Sequence, residues 1–204
     1  MARKADPNRR KAILDAAGQV FARKGYANAR IIEVAEAASV GKGTIYEYFR
    51  SKEDLFFAVF EGTMQGAEDT IAAIATVSDE PFSERMRQLS DGMIQSWLGQ
   101  LEMYALVMEF WSATASSPSR KRFKAAFQKG YRDLRIVVGD LIEAAQANGE
   151  VSAECDAQAV ASALIGTWDA LLLQAWLDPD FDALATSRSF LKVVLRGLQP
   201  AASS

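Results

Sequence analysis

Apolar positions in this chain recur every three to four residues almost from end to end, without the two-residue alternation of a half-buried strand. The first such run opens at Pro7, a residue suited to an opening helical turn. It carries Ile13, Leu14, Ala17, Val20 and Phe21 to a stop at Lys24-Gly25. A short helix is predicted over 30–38, burying Ile31, Val34 and Ala35, with Asn28 placed to cap it. Ser39-Val40-Gly41 reads as a tight turn, followed by a third short helix over 42–48. Ser51 opens a fourth helix, with Asp54 three residues on in a variant of the capping box, and Leu55, Phe56, Val59 and Phe60 carry it to about Ile74.

Longer helices are predicted at 81–98, 100–115, 118–147, 156–177 and 182–197. Gly99, Ser117-Pro118, the turn "NGEVSAECD" and Asp178-Pro179-Asp180 separate them. The pattern is that of an all-α fold of about nine helices. It divides into a three-helix head at 1–51 and a larger helical domain at 52–204.

Two short helices joined by a three-residue turn make a helix-turn-helix, whose second helix can enter the major groove of DNA. Ile45 and Phe49, four apart, face inward, which leaves Lys42, Thr44, Tyr46, Glu47 and Tyr48 outside or at the edges. Gly43 lets a backbone or base come close, because no side chain intervenes. Lysine neutralises phosphate or donates to guanine, hydroxyls bond phosphate oxygens, and tyrosine rings touch thymine methyls. Arg30 and Lys52 flank this helix near the starts of its neighbours.

Charge sharpens the picture. The net charge is −3, yet residues 1–60 hold 11 Lys+Arg against 7 Asp+Glu, while the remainder holds 12 against 19. A basic head on an acidic body points one end of the molecule at a polyanion. The chain has 1 cysteine and no histidine, which removes a disulfide framework, the Ser-His-Asp and Cys-His arrangements and the commonest metal ligand. No glycine-rich phosphate loop is present, so neither an enzyme nor a cofactor is expected. No uninterrupted apolar run approaches the roughly 20 residues of a membrane span, and a cytoplasmic protein is expected.

The segment "GYANARIIEVAEAASVGKGTIYEYFRSKEDLF", Gly25 to Phe56, resembles the DNA-binding head of TetR-type transcriptional regulators. The resemblance covers about residues 8–60 and rests on the glycine-aromatic pair, the Val34-Ala35 helix and the run from Lys42 through Leu55. It implies base-edge or close backbone contact for Lys42, Gly43 and Tyr46, and phosphate contact for Thr44, Tyr48 and Lys52. Where the family usually has a threonine pair this chain has Ala29-Arg30, which passes that phosphate contact to Arg30. The turn is Ser39-Val40-Gly41 in place of Gly-Val-Ser, so Ser39 must take a conformation easier for glycine, and Gly41 is a weaker cap than serine.

A single helix-turn-helix reads too few base pairs to be selective, so a homodimer on a two-fold operator is expected. Helices 156–177 and 182–197 are the candidates for joining subunits. The first has a small-residue stripe of Ala159, Ala163, Gly166 and Ala170; the second has Phe190, Val194 and Leu198 flanked by Leu191 and Leu195. The middle helices carry a heavy aromatic load. Leu101, Tyr104, Met108 and Trp111 share a stripe, Phe127 and Tyr131 lie on the next helix, and Trp97 and Trp168 are placed to meet them. A packed core accounts for such stripes, but the resemblance implies a cavity here for an apolar or aromatic effector. Glu109 and Asp169 fall among apolar residues and need an arginine such as Arg132 or Arg135, solvent, or a cationic ligand.

The reading that follows is a ligand-responsive repressor. Its rivals are a DNA-binding regulator without a ligand, controlled by a protein partner, then an all-helical enzyme, and a packing protein indifferent to sequence.

Overall fold

The computed structural model describes residues 6–75, 80–99, 101–116 and 119–200. Among the described residues the chain forms nine helices and no strand. They are α1 (Pro7–Asn28), α2 (Ile31–Ala37), α3 (Lys42–Tyr48), α4 (Lys52–Ala75), α5 (Phe82–Leu98), α6 (Leu101–Ser116), α7 (Arg120–Ala147), α8 (Ala157–Leu177) and α9 (Ala183–Gly197). The all-α expectation holds, with each long helix starting within two residues of its predicted position. The segment "TVSDEPFS" between α4 and α5 falls partly outside the described residues.

The chain divides into two compact units. The first comprises residues up to Gln65 together with Leu101–Phe127, and the second comprises Gly66–Gln100 and Gln128 onward. The first unit thus takes in α6 and the start of α7, beyond the helix-turn-helix itself.

In the first unit, short helices exist because a larger core receives them. Helices of seven residues, such as α2 and α3, are unstable alone in water. They persist because Ile31, Val34, Ala35, Ile45 and Phe49 are buried against Ile13, Ala17, Val20 and Phe21 of α1. The centre of this core is aromatic. Phe56 meets Phe21 edge-on with centroids 5.3 Å apart and Phe110 at 4.7 Å, while Phe60 meets Phe110 at 4.9 Å and Phe123 at 5.5 Å. Each such pair adds about 0.5–1.5 kcal/mol beyond the area it buries.

The end of α1 needs glycine on two counts. Gly25 has φ 74 and ψ 156, a region essentially closed to other residues. A Cβ there would also lie 2.7 Å from Oε1 of Glu109. That carboxylate accepts the Tyr26 N–H at 2.6 Å. Glu109 therefore serves the α1 kink. The cap expected at Asn28 is also corrected. Asn28 is the last residue of α1, and Arg30, in extended conformation, is the N-cap of α2.

In the second unit, α5 packs against α8 and α9. Met86, Leu89, Ile94, Ala161, Leu164, Trp168 and Leu191 are buried there. Pro81 stands at the N-cap of α5 and offers no side-chain acceptor. Glu150 supplies one from the turn after α7, accepting the Phe82 N–H at 2.8 Å. Helices α8 and α9 start on Asp156 and Asp182, which accept the Ala159 and Ala185 amides at 3.0 and 2.8 Å.

Helix α8 has 21 residues and a window of mean hydropathy 1.3. By length and composition it could span a bilayer, a point that scanning for unbroken apolar runs overlooks. Its Leu164, Ile165, Trp168, Leu171 and Leu172 are spent on the interior of the unit.

A polar cluster is sealed into this unit. Ser90 Oγ lies 2.8 Å from Ser187 Oγ and accepts the Trp168 indole N–H at 3.0 Å, with all three residues buried. Beside it Asp91 receives the Arg188 guanidinium through Nε and Nη2, at 3.0 and 2.9 Å, and Arg87 at 2.9 Å. Removing one member strands a buried polar group, which costs about 1–3 kcal/mol. Ser90→Ala is therefore expected to cost about 2–3 kcal/mol in urea unfolding. The double change Ser90→Ala, Ser187→Ala should cost less than the sum of the two single changes, because its second step removes a group already without a partner.

Candidate nucleic-acid interface

The exit from α2 sets the direction of α3. The Val40 N–H bonds the Ala35 carbonyl at 2.9 Å and the Ser39 N–H bonds the Glu36 carbonyl at 3.1 Å. This is the double closure that ends a helix on a left-handed residue, normally glycine. Here Ser39 takes that conformation, at φ 54, as the turn sequence requires. Gly41 then caps α3 without a side-chain hydrogen bond. The helix is held from inside, where Ile45 and Phe49 are 1% and 2% exposed.

The opposite face of α3 has no packing duty. Lys42, Gly43, Tyr46 and Glu47 are exposed, and Tyr46 keeps 47% of its surface. A Cβ built on Gly43 would meet nothing within 4 Å, so packing does not explain the glycine. Thr44 and Tyr48 are half-buried at the edges. The Tyr48 hydroxyl accepts the Asp6 N–H at 3.1 Å and so ties α3 to the cap of α1, while its own O–H remains able to donate.

Two predicted contacts are already engaged within the protein. Glu33 accepts the Arg30 backbone N–H at 3.0 Å, pairs with the Arg30 guanidinium at 2.8 Å and takes Lys24 at 2.9 Å. Lys24, the Arg30 amide and the Arg30 guanidinium together hold the Glu33 carboxyl down at about 2. Arg30 is thereby aimed, and its side chain stays 73% exposed. Lys52 turns inward. Its ammonium donates to the Ala27 carbonyl at 3.2 Å and sits 4.6 Å from the centroid of the Tyr26 ring. Burial pushes its pKa down, partly opposed by Glu109 and Glu33.

Sequence reasoning passed over Glu33 as the residue that orients Arg30, although the three-residue spacing within a first helical turn is a readable signal. It also passed over Arg10, whose guanidinium lies 5.3 Å from the Phe49 ring centroid.

The eight residues proposed to line an effector cavity are divided between the units. In the first, Tyr104 is buried, Leu101, Met108 and Phe127 are half-buried, and Trp111 is 38% exposed with its ring 6.3 Å from that of Phe127. In the second, Trp168 belongs to the Ser90 cluster and Trp97 is half-buried. Tyr131 donates its hydroxyl to Asp169 at 2.7 Å. Burial raises the Asp169 pKa, and the tyrosine hydrogen bond counters that only in part.

Comparison with known proteins bears on this geometry. Residues 13–59 match the model for bacterial regulatory proteins of the tetR family, and residues 82–200 match the C-terminal model of BetI-type transcriptional repressors. The chain is 29% identical over 195 residues to the fatty acid metabolism regulator protein of Bacillus subtilis, covering 91% of this chain and 93% of that protein. The fold is shared with the fatty acid degradation regulator FadR of Bacillus halodurans, at a TM-score of 0.76 and 23% identity over 96% of this chain and 98% of that one. It is shared too with FadR of Bacillus subtilis in complex with stearoyl-CoA, at a TM-score of 0.73 and 22% identity over 93% of this chain and 99% of that one. With its helix-turn-helix matched by one model and most of the remainder by the other, this chain belongs to the TetR family of DNA-binding transcriptional regulators.

Proposed function

We propose that this regulator is a homodimeric, cytoplasmic repressor without catalytic activity, which reads a two-fold operator through α3 and releases it on binding a long-chain acyl-CoA. The observation that carries the DNA reading is the outer face of α3. Lys42, Gly43 and Tyr46 are exposed on a helix whose inner face is fully committed to the core. Those three are the proposed base-edge contacts, with Arg30, Thr44 and the Tyr48 hydroxyl on phosphates. Lys52 positions the start of α4 and reaches phosphate only by giving up Ala27.

The acyl-CoA reading is supported by the near full-length match to a fatty acid regulator and by the stearoyl-CoA complex of a protein with the same fold. Leu101, Met108 and Trp111 of α6 keep accessible apolar surface along one stripe, as an acyl chain requires. Dimerisation is supported by exposed apolar surface on α8 and α9. Ala159, Ala163, Gly166 and Ala170 form an open small-residue stripe, while Phe190 is 40% and Val193 68% exposed. Val193 lies beside the stripe read from the sequence, whereas Leu191 and Leu198 of that reading are buried within the unit.

Three measurements check this reading. Stearoyl-CoA added to the protein–operator complex is expected to release the DNA at micromolar concentration, while free CoA leaves it bound; release by neither, or equally by both, sinks the acyl-CoA reading and favours control by a protein partner. Gly43→Ala should raise stability by about 0.5–1 kcal/mol, the usual gain for alanine over glycine inside a helix, and should weaken operator binding at least tenfold. Val193→Glu should turn the dimer into a monomer in sedimentation and lower operator affinity in parallel; a variant that stays dimeric removes α9 from the interface.

A further inference from the structure

Helix α7 begins with an arrangement that its own stability disfavours. Four of residues 120–124 are cationic (Arg120, Lys121, Arg122 and Lys124), and the first turn contains no acid. The start of a helix carries a partial positive charge, so each cation there costs roughly 0.3–1 kcal/mol where a carboxylate would stabilise.

The first unit offsets only part of this. Arg122 donates to Asp54 at 3.0 Å and lies over the Phe57 ring at 3.6 Å, and the Ser119 N–H goes to Glu53 at 3.2 Å. Arg120, Lys121 and Lys124 remain exposed and have no ion pair among the described residues. A helix start combined with three such cations is a surface built for an anion.

Its position indicates which anion. Asp54, which holds Arg122, also accepts the Arg50 N–H at 3.2 Å. Arg50 is exposed and stands two residues beyond the end of α3. The basic start of α7 is therefore tied through Asp54 to the turn that leaves the DNA-reading helix. Duplex DNA carries one phosphate charge per ~1.7 Å of axis, so a protein seated by α3 presents this surface to a continuing row of phosphates.

We propose that Arg120, Lys121 and Lys124 form a second DNA-backbone contact, outside the helix-turn-helix, which binds phosphates flanking the bases read by α3. It rests on the DNA-binding role of α3. It adds affinity and salt dependence without adding sequence preference.

The test uses the full chain carrying Arg120→Gln, Lys121→Gln and Lys124→Gln, beside the charge-conserving Arg120→Lys, Lys121→Arg, Lys124→Arg. Binding to an operator-containing duplex and to scrambled duplex of equal length is measured from about 50 to 200 mM salt. Each lost phosphate contact lowers the slope of log K against log salt by about 0.9. The glutamine variant is expected to lose about 2–5 of that slope per dimer on both duplexes and to bind roughly 10- to 100-fold more weakly. Its operator-to-scrambled ratio should stay within about twofold of the wild type, and the charge-conserving variant should match the wild type throughout. An unchanged slope overturns the proposal. An unchanged slope with weakened release by stearoyl-CoA overturns it too, and assigns the cations to the phosphorylated end of the effector. The role of α3 is judged separately, on the wild-type operator-to-scrambled ratio, because scrambled DNA alone reports the slope.

Discussion

The side chain of Phe56 is the hinge of the first unit's packing. Its ring touches Phe21 at the end of the main run of α1, Tyr26 beyond the Gly25 kink, Phe110 on α6 and Phe123 on α7, with centroids between 4.4 and 5.8 Å. Three helices far apart in the chain, α1, α6 and α7, are thus located by one residue of α4. Helices as short as α2 and α3 have no stability of their own to contribute. They are placed by Val34, Ile45 and Phe49 entering the core that this ring organises. The accuracy with which α3 is presented therefore depends on aromatic contacts well behind it, and the exposed face of α3 is left unconstrained by packing.

The same core decides which cations of the basic head remain available. Arg30 and Lys24 share Glu33, and Lys52 is held by the Ala27 carbonyl and the Tyr26 ring. The positive balance of the first sixty residues thus overstates the charge directed at a partner. Cations bound this way lose side-chain entropy in the folded state, which lowers the cost of ordering them on DNA. Lys42 and Arg50 keep their freedom at the two ends of α3, and the start of α7 adds three more exposed cations nearby. In the reading proposed above, the cationic surface is thus divided between aimed groups and free ones.

Most of the architecture was legible because it depends on local periodicity. Ile45 and Phe49 are four apart and both turn inward; Ser39 stands where a left-handed residue is needed and adopts that conformation. What was illegible depends on contacts distant in the chain. The Glu109 carboxylate serves Tyr26 from 83 residues away, and Glu150 caps α5 from 68. No pattern of spacing announces either. The resemblance placed Lys52 on a phosphate, and only the fold brings the Tyr26 ring beneath it. Asn28 lost the capping role to Arg30 because the extended conformation of Ala29 and Arg30 postpones the helix by two residues.

The face of α9 was ambiguous in the sequence for a related reason. The helix is apolar on two sides, and periodicity cannot say which side meets its own unit. The structure settles the inner side through polar chemistry. Ser187 reaches Ser90, which also holds the Trp168 indole, and Arg188 grips Asp91, so α9 cannot roll without breaking buried hydrogen bonds. Leu191 follows Ser187 by one turn and is buried with it. Phe190 and Val193 are consequently forced outward, where they would be a liability in a lone monomer. A purely apolar inner face would let α9 slide or rotate against α5 at little cost, and a partner docked on its outer face would then have no fixed orientation. In the dimer proposed above, the polar cluster carries that directional constraint. A two-fold operator requires reading helices about 34 Å apart, so the proposed dimer needs a partner docked in one orientation, which a fixed α9 face supplies.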